Sequence, residues 1–368
     1  MNQLTFIVIF LLSGLVVAHD EELPWLYGGL GWSADGQYIA VATSQGVRIH
    51  ESDDLSLVKA VDEHSKVTTL DWSTEGLKIA YDREYFDGVF VWDVLAEERF
   101  TLAAPGSAGV SSIEWSPGDV GIAAGHSSRR EIYIWHAESR ELVEIIPLSL
   151  FPGSVQGHVE WSPDAKYLAT GSSSRGLAIF DPNFYLHDYI WNQSGSLPTK
   201  WSPDGTMLAA GDDPIKIWEI HPEIHHRITD EFIGELVYEL DADNGWFVGL
   251  SWHPDSEKLA FISDPSDSSI IEGSRTRAAI WDITSDTVRH LPDVVVYWDF
   301  ISWDKKVIAW SPDGLRLAAI SNDGRIIIWN TATFEVVAEY DGYRSILDYY
   351  VENDFFSEQE LDSADIKS

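Results

Sequence analysis

The most regular pattern along the chain is a short apolar strand that ends in Trp, followed by a polar turn and an Ala-rich apolar strand. It occurs seven times, in the strings WSADG, WSTEG, WSPGD, WSPDA, WSPDG, WHPDS and WSPDG that begin at Trp32, Trp72, Trp115, Trp161, Trp201, Trp252 and Trp310. Pro, Asp and Gly favour a tight turn at these places. Each repeat therefore predicts a β-hairpin of two strands, a and b.

A third strand, c, follows each hairpin and alternates apolar residues up to a terminal aromatic side chain. In five repeats that side chain is Trp92, Trp135, Trp218, Trp281 or Trp329, and Phe180 and His50 stand at the matching place in the other two. A fourth strand, d, is predicted after most repeats, as over residues 141–146, 235–240 and 335–340. Four strands repeated at intervals of 40 to 58 residues predict an all-β fold, a seven-bladed β-propeller of four-stranded antiparallel blades.

The repeats resemble those of the WD-repeat β-propeller family. Trp92-Asp93 and Trp281-Asp282 match the dipeptide of that family, and WSPDG matches its first turn. The resemblance covers residues 26–340 and implies that the d–a and b–c connections share one face of the ring. The Gly-His pair that precedes strand a in the family is missing from almost every repeat. We therefore expect packing to carry more of the rigidity of each blade than the family's hydrogen-bond network does.

The two ends of the chain differ from the repeats and divide it into three parts. Residues 4–18 are almost wholly apolar, which predicts a signal peptide over residues 1–18, with an uncleaved signal anchor as the alternative. Residues 19–340 form the predicted propeller. Residues 341–368 are an acidic tail, expected to pack against the ring over its aromatic first half and to be disordered at its end. These features predict a secreted or extracytoplasmic protein, bound to a membrane only if the anchor is retained.

Charge and cysteine content restrict the function. The chain has a net charge of −36 and no Cys. Because nucleic-acid binding draws on Lys and Arg that neutralise phosphates, a chain this acidic is not expected to bind nucleic acid. The absence of Cys excludes disulfides and thiolate chemistry. Solubility is the preferred explanation of the charge, and attraction of cations or of a basic partner is the alternative.

No motif in the chain predicts catalysis, a cofactor or a metal site. The chain lacks a Gly-x-Ser-x-Gly motif and a Gly-rich phosphate loop, and its carboxylates are too numerous for any pair to be nominated as acid and base. Residues 241–245 resemble part of a calcium loop, but they fit an ordinary turn better. His221, His225 and His226 form the only His cluster and lie in a predicted insertion between strands c and d of the fifth blade, with no third ligand apparent.

Five Trp residues do not end a strand a or c, and four of them lie near the connections of the fourth to seventh blades. The connection over residues 294–303, VVVYWDFISW, is very apolar. Exposed aromatic side chains beside acidic loops are typical of a recognition surface. The predicted partner-binding residues are Trp246, Tyr297, Trp298, Phe300 and Trp303. An extra strand or a folded-back lid is an equally good interpretation of this segment.

Together these features predict a secreted or surface-exposed propeller that acts as a non-catalytic protein-binding scaffold through loops on one face. The first alternative is an extracytoplasmic, hydrolase-like propeller enzyme with its site at the mouth of the axis. A cluster of perturbed carboxylates or His residues there would favour it. The second alternative is a cation-binding propeller.

Overall fold

The protein forms a ring of seven four-stranded antiparallel sheets, seen in a computed structural model. The structure describes residues 23–86, 88–105, 109–126, 128–150, 158–172, 176–181, 183–191, 198–211, 214–220, 234–241, 245–265, 277–292, 306–321 and 323–344. Each sheet is one blade, and its four strands follow one another in sequence as a, b, c and d. The predicted fold class is thus confirmed.

The strands are numbered in chain order, four to a blade. Their bounds are β1 Leu26–Trp32, β2 Tyr38–Thr43, β3 Gly46–Glu51 and β4 Leu57–Val61 in blade 1; β5 Leu70–Trp72, β6 Lys78–Tyr81, β7 Gly88–Asp93 and β8 Glu98–Ala103 in blade 2; β9 Ser112–Trp115, β10 Gly121–His126, β11 Glu131–His136 and β12 Leu142–Pro147 in blade 3; β13 Glu160–Trp161, β14 Leu168–Ser172, β15 Gly176–Phe180 and β16 Leu186–Trp191 in blade 4; β17 Thr199–Trp201, β18 Met207–Ala210, β19 Ile215–Ile220 and β20 Gly234–Leu240 in blade 5; β21 Gly245–Trp252, β22 Lys258–Pro265, β23 Arg277–Asp282 and β24 Thr287–His290 in blade 6; and β25 Ile308–Trp310, β26 Arg316–Ile320, β27 Ile326–Asn330 and β28 Val336–Tyr340 in blade 7.

Strand a of every blade ends at its Trp, as predicted. These inner strands contact one another around the ring, and β25 contacts β1, so the ring closes. Strands b and c are buried on both faces, whereas the outer strands d keep about half of their residues exposed. Phe180 and His50 occupy the position of the strand-c Trp in their blades, pairing with Leu168 and Ile39 on strand b. Both side chains are buried.

The seam between blades 1 and 7 is held by the residues just before strand β1 and those just after strand β28. Arg344 N donates to Pro24 O (3.0 Å), and Trp25 forms a parallel bridge with Arg344. Tyr343 is buried and its hydroxyl lies 2.6 Å from His50 Nε2 in blade 1. The first residues after strand β28 therefore pack against the ring, while residues 1–22 and 345–368 lie outside the described residues.

The Ser that follows Trp explains why the a–b turn keeps its sequence. In blade 7 the hydroxyl of Ser311 donates to Asp313 Oδ1 (2.6 Å) and accepts from Arg316 N (2.9 Å). The same arrangement links Ser33, Ser162 and Ser202 to their own turns. Hydrogen bonds of this kind add to the packing that was expected to carry the rigidity of each blade.

In one a–b turn, the carboxylate that accepts the backbone N–H groups comes from the neighbouring blade. The a–b turn of blade 2 has Glu75 in place of Asp, and Asp119 of blade 3 accepts instead from Thr74 N (2.6 Å) and Gly76 N (3.1 Å). In the string WSPGD, Asp119 stands where WSPDG has Gly, and it adopts the positive φ of that position, 55°. The two departures from WSPDG in blades 2 and 3 thus compensate each other.

Candidate functional site

The predicted partner-binding residues lie mostly outside the described residues. Tyr297, Trp298, Phe300 and Trp303 belong to the connection between β24 and β25, of which the structure describes only the two ends. Trp246 lies in β21, and its backbone pairs with Asp264 of β22; its side chain is not described. The recognition surface therefore stays a prediction.

The described residues that converge at the centre of the ring are those directly before each strand-a Trp. The inner strands surround the axis, so the seven positions form a belt around it: Gly31, Asp71, Glu114, Glu160, Lys200, Ser251 and Ala309. Four of the strand-a Trp side chains donate from Nε1 to the backbone oxygen of the belt residue in the preceding blade. These bonds are Trp72 to Gly31 (3.0 Å), Trp252 to Lys200 (3.0 Å), Trp310 to Ser251 (3.1 Å) and Trp32 to Ala309 (2.9 Å).

For the other three Trp side chains the belt residue of the preceding blade is acidic, and the indole does not donate to its backbone oxygen. Nε1 of Trp115, Trp161 and Trp201 is buried and has no hydrogen-bond partner among the described residues. For the first two, the carboxylate accepts the backbone N–H of Trp instead: Asp71 Oδ2 from Trp115 N (2.8 Å) and Glu114 Oε2 from Trp161 N (3.0 Å). Asp71 and Glu114 therefore accept a backbone hydrogen bond in place of an indole hydrogen bond.

Two lysines complete a charged group at the axis, which we call the axial cluster: Asp71, Glu114, Glu160, Lys200 and Lys306. Lys200 forms an ion pair with Glu160, and Lys306 with Asp71. Lys306 also donates to Ile113 O (3.4 Å) in blade 3, and its own backbone oxygen accepts from Leu30 N in blade 1 (2.6 Å). Lys306, which precedes β25 of blade 7, thus connects blades 1, 2 and 3 across the axis.

The electrostatics of the axial cluster single out Glu114. Burial and the neighbouring carboxylate of Glu160 raise the pKa of Glu114 well above its usual range, although Lys200 and Lys306 act in the opposite direction. A second buried carboxyl lies in the b–c connection of blade 2. Asp82 accepts from Thr68 N (2.7 Å), and burial raises its pKa to about 6.

This arrangement can hold a proton, but its groups are engaged within the protein. Two carboxylates of the axial cluster are bound to lysines, and the third, Glu114, accepts a backbone N–H from the adjacent blade. A general acid must come within hydrogen-bond reach of a substrate. The axis therefore holds one carboxyl group with a perturbed pKa, Glu114, but that group is hydrogen-bonded within the protein and not to a substrate.

Within the described residues, no group of three or more His, Asp or Glu side chains is arranged to hold a metal ion. Nor do those residues include a helix that could cross a membrane.

The described residues of the two faces of the ring differ sharply in charge. The a–b and c–d connections lie on one face, the turn face, because successive strands alternate in direction. Their described residues include two cations, Arg140 and Lys166. They include 16 acidic residues: Asp35, Asp53, Asp54, Glu75, Glu97, Asp119, Glu138, Glu141, Asp164, Asp181, Asp204, Asp255, Glu257, Asp286, Asp313 and Glu335.

The b–c and d–a connections form the opposite face, the connection face, whose described residues are balanced in charge. Its described residues include six acidic side chains, Asp62, Glu63, Asp82, Glu84, Asp241 and Asp323, and six basic ones, Lys66, Arg83, Arg129, Arg130, Lys306 and Arg325. Many carboxylates of the turn face close their own turns, as when Asp164 Oδ1 accepts from Lys166 N (3.1 Å) or Asp204 Oδ1 from Thr206 N (3.0 Å). The acidity of the turn face is thus explained in large part by turn structure.

Comparison with known proteins agrees with the fold and its repeats. The family model "WD domain, G-beta repeat" matches residues 305–330, which hold strands β25 to β27. Protein HIR1 of Candida albicans is 26% identical over 178 residues, which is 39% of this chain and 18% of that protein. Actin-related protein 2/3 complex subunit 1A of Arabidopsis thaliana is 26% identical over 173 residues, 43% of this chain and 45% of the subunit. The chain thus spans less than half the length of these relatives.

A solved structure extends the likeness to the whole ring. The Cps50 (Swd1) β-propeller domain of Myceliophteria thermophila superposes with a TM-score of 0.67 over 83% of this chain and 98% of that domain, at 17% identity. At this identity the likeness concerns the fold alone. The chain is a seven-bladed β-propeller, as its repeats predicted, and its last repeat matches the model of the WD-repeat family. Proteins of this family are typically non-catalytic scaffolds for protein interactions.

Proposed function

We propose that the protein is a secreted or surface-exposed, non-catalytic scaffold that binds a protein partner through its connection face. The observation that carries this proposal is the division of charge between the two faces. The described turn face has 16 carboxylates against two cations, whereas the described connection face has six of each.

Charge of one sign over a whole face affects which surfaces can approach it. At physiological salt the field of exposed charges extends about 8 Å, so an acidic partner is repelled by the turn face. The connection face lacks that barrier among its described residues. The segment with Tyr297, Trp298 and Phe300 joins β24 to β25 and is therefore a d–a connection. Aromatic anchors with a polar surround supply most of the affinity in protein interfaces.

Likeness to subunits of complexes supports a protein partner. One relative is named as a subunit of the actin-related protein 2/3 complex. Export rests on a separate argument, the apolar residues 4–18 at the start of the chain. Sequencing the N-terminus of protein recovered from the extracytoplasmic fraction tests export: we expect the mature chain to begin after residue 18, and an intact Met1 on intracellular protein would contradict it.

The binding surface is tested by a triple variant, Tyr297→Ala, Trp298→Ala and Phe300→Ala. Immobilised wild type and variant are incubated with the extracytoplasmic fraction, and retained proteins are compared by mass spectrometry. We expect a partner that wild type retains and the variant loses, with the thermal transition of the variant unchanged. If the transition collapses, the segment is part of the folded core and the proposed surface is wrong.

A matched control removes exposed apolar side chains from the turn face. Leu95, Tyr185 and Leu315 lie in turn-face connections and are 79%, 72% and 62% exposed. The triple replacement of these residues by Ala should leave retention of the partner unchanged. Loss of the partner in this control alone would move the interface to the turn face.

A further inference from the structure

A buried arginine lies at the seam between blades 1 and 7. Arg48 is the third residue of β3, strand c of blade 1, and only 7% of it is exposed. Because side chains alternate along a strand, it shares a face of β3 with His50, whose Nε2 meets the hydroxyl of Tyr343. Burial lowers the pKa of His50 and raises that of Tyr343, and the nearby charge of Arg48 acts to lower both. Arg48 therefore faces the residues that close the seam.

Arg48 has few partners for a buried guanidinium group. Its Nη2 donates to Gln45 Oε1 at 3.3 Å, and its Nη1 is buried with no hydrogen-bond partner; no carboxylate of the described residues forms an ion pair with it. Arg325, directly before β27 of blade 7, contrasts with it. Although 21% of its side chain is exposed, Arg325 contacts the carboxylates of Asp323 (2.6 Å) and Glu339 (2.9 Å). A buried charge is costly unless an opposite charge pairs with it, so we expect an anionic group at Arg48.

The described part of the chain ends beside this arginine. Arg344 forms a bridge with Trp25, and its guanidinium carbon lies 3.8 Å from the centre of that indole ring. Trp25 N donates in turn to Ser44 Oγ (3.0 Å). Ser44 directly precedes Gln45, the hydrogen-bond partner of Arg48. A short series of contacts thus leads from the last described residue to the buried guanidinium.

The residues that follow Arg344 are rich in the charge that Arg48 needs. Residues 345–368 lie outside the described residues and contain seven Asp and Glu side chains against one Lys. Asp348 is the first of the seven, four residues after Arg344, and Glu352 is the next. Four residues of extended chain span at most about 14 Å, so Asp348 has the shortest tether to the site. A carboxylate matches the planar fork of a guanidinium group.

We propose that Arg48 is a carboxylate-binding site and that Asp348 of the acidic C-terminal segment occupies it. The pair joins a buried cation of blade 1 to the segment that follows blade 7, and it thereby helps to close the ring. At least one charge of the acidic segment then stabilises the fold, in addition to any contribution of the others to solubility. This inference does not depend on the proposed binding function.

The test combines Asp348→Asn with Arg48→Met. In wild type, Asp348→Asn leaves a buried guanidinium without a counter-ion, and we expect the melting temperature to fall by about 5 °C. Arg48→Met removes the charge and keeps an apolar side chain, which buried sites often tolerate. In that background Asp348→Asn should change the melting temperature by less than about 1 °C. Equal shifts in the two backgrounds would overturn the proposal.

A matched control separates pairing from the overall charge of the segment. Glu352→Gln removes the same charge four residues further along the chain and should leave the melting temperature unchanged. Hydrogen exchange of the peptide around Arg48 should become faster in Asp348→Asn and stay as in wild type in Glu352→Gln. This comparison needs no substitution in the ring, so it holds even if Arg48→Met does not fold. Unchanged exchange in Asp348→Asn, or an equal loss of protection in both variants, would show that Asp348 does not pair with Arg48.

Discussion

Phe substitution at two equivalent Trp positions tests the belt of hydrogen bonds around the axis. Trp252 and Trp201 each end a strand a, and they are 6% and 5% exposed. Trp252 Nε1 donates to Lys200 O (3.0 Å), whereas Trp201 Nε1 is buried with no partner among the described residues. Replacement by Phe removes a similar volume at both positions, so the difference between the two variants isolates the indole N–H.

The expected difference is large enough to measure. Trp252→Phe loses a hydrogen bond worth about 1 kcal/mol, whereas Trp201→Phe removes an unpaired buried donor that costs about 1–3 kcal/mol. We therefore expect the free energy of unfolding to fall by about 2 kcal/mol more in Trp252→Phe. With about 2 cal/mol/K of unfolding entropy per residue, a ring of about 300 residues would show a melting temperature about 3 °C lower.

Calorimetry and urea unfolding followed by circular dichroism at one pH provide the measurement. Equal destabilisation of Trp201→Phe and Trp252→Phe would contradict this prediction, because Trp201 Nε1 would then have a hydrogen-bond partner of equal strength. Wild-type stability in both variants would contradict it as well.

Two further predictions concern the a–b turns and a buried carboxyl. Ala165 has a φ of 57° where Gly205 has 74°, and a Cβ on Gly205 would meet only Pro163 Cδ at 3.7 Å. Gly205→Ala should therefore lower the free energy of unfolding by about 1 kcal/mol and Ala165→Gly should raise it by about half as much, measured by urea unfolding; effects of the same sign would contradict the backbone argument. Burial raises the pKa of Asp82 to about 6, so its contribution is full below about pH 4 and is lost as the pH rises through 6. Asp82→Asn should flatten the change in melting temperature between pH 5 and 7, and an unchanged slope would count against it.

The architecture could be predicted because every blade repeats the same local sequence pattern. Trp, a Pro-Asp-Gly turn and a small-residue strand recur together, and each element has its own physical reason to form. The positions of Phe180 and His50 followed from the register of strand c, which the structure confirms. The seam at Trp25 and Arg344 was not specified, because a single bridge between the two ends of the chain has no periodicity.

The axial cluster was missed although its signal lies next to the clearest motif. Carboxylates are so numerous that no pair could be nominated from composition. Superposing the seven repeats on their Trp places Asp71, Glu114, Glu160 and Lys200 at one position of the inner strand, where side chains gather at the axis. Lys306 could not be found this way, because it lies three residues further from its Trp and reaches the cluster only through the closed ring.

The most direct test of the proposed binding face is amine cross-linking of the protein to its retained partner, followed by mass spectrometry. Lys66 lies in the d–a connection after blade 1 and is 30% exposed, whereas Lys166 lies in the a–b turn of blade 4 and is 66% exposed. Solvent exposure alone would therefore favour cross-linking at Lys166 over Lys66. We expect cross-links to the partner at Lys66 and none at Lys166; cross-links concentrated at Lys166 would place the partner on the turn face and show that the proposed binding face is wrong.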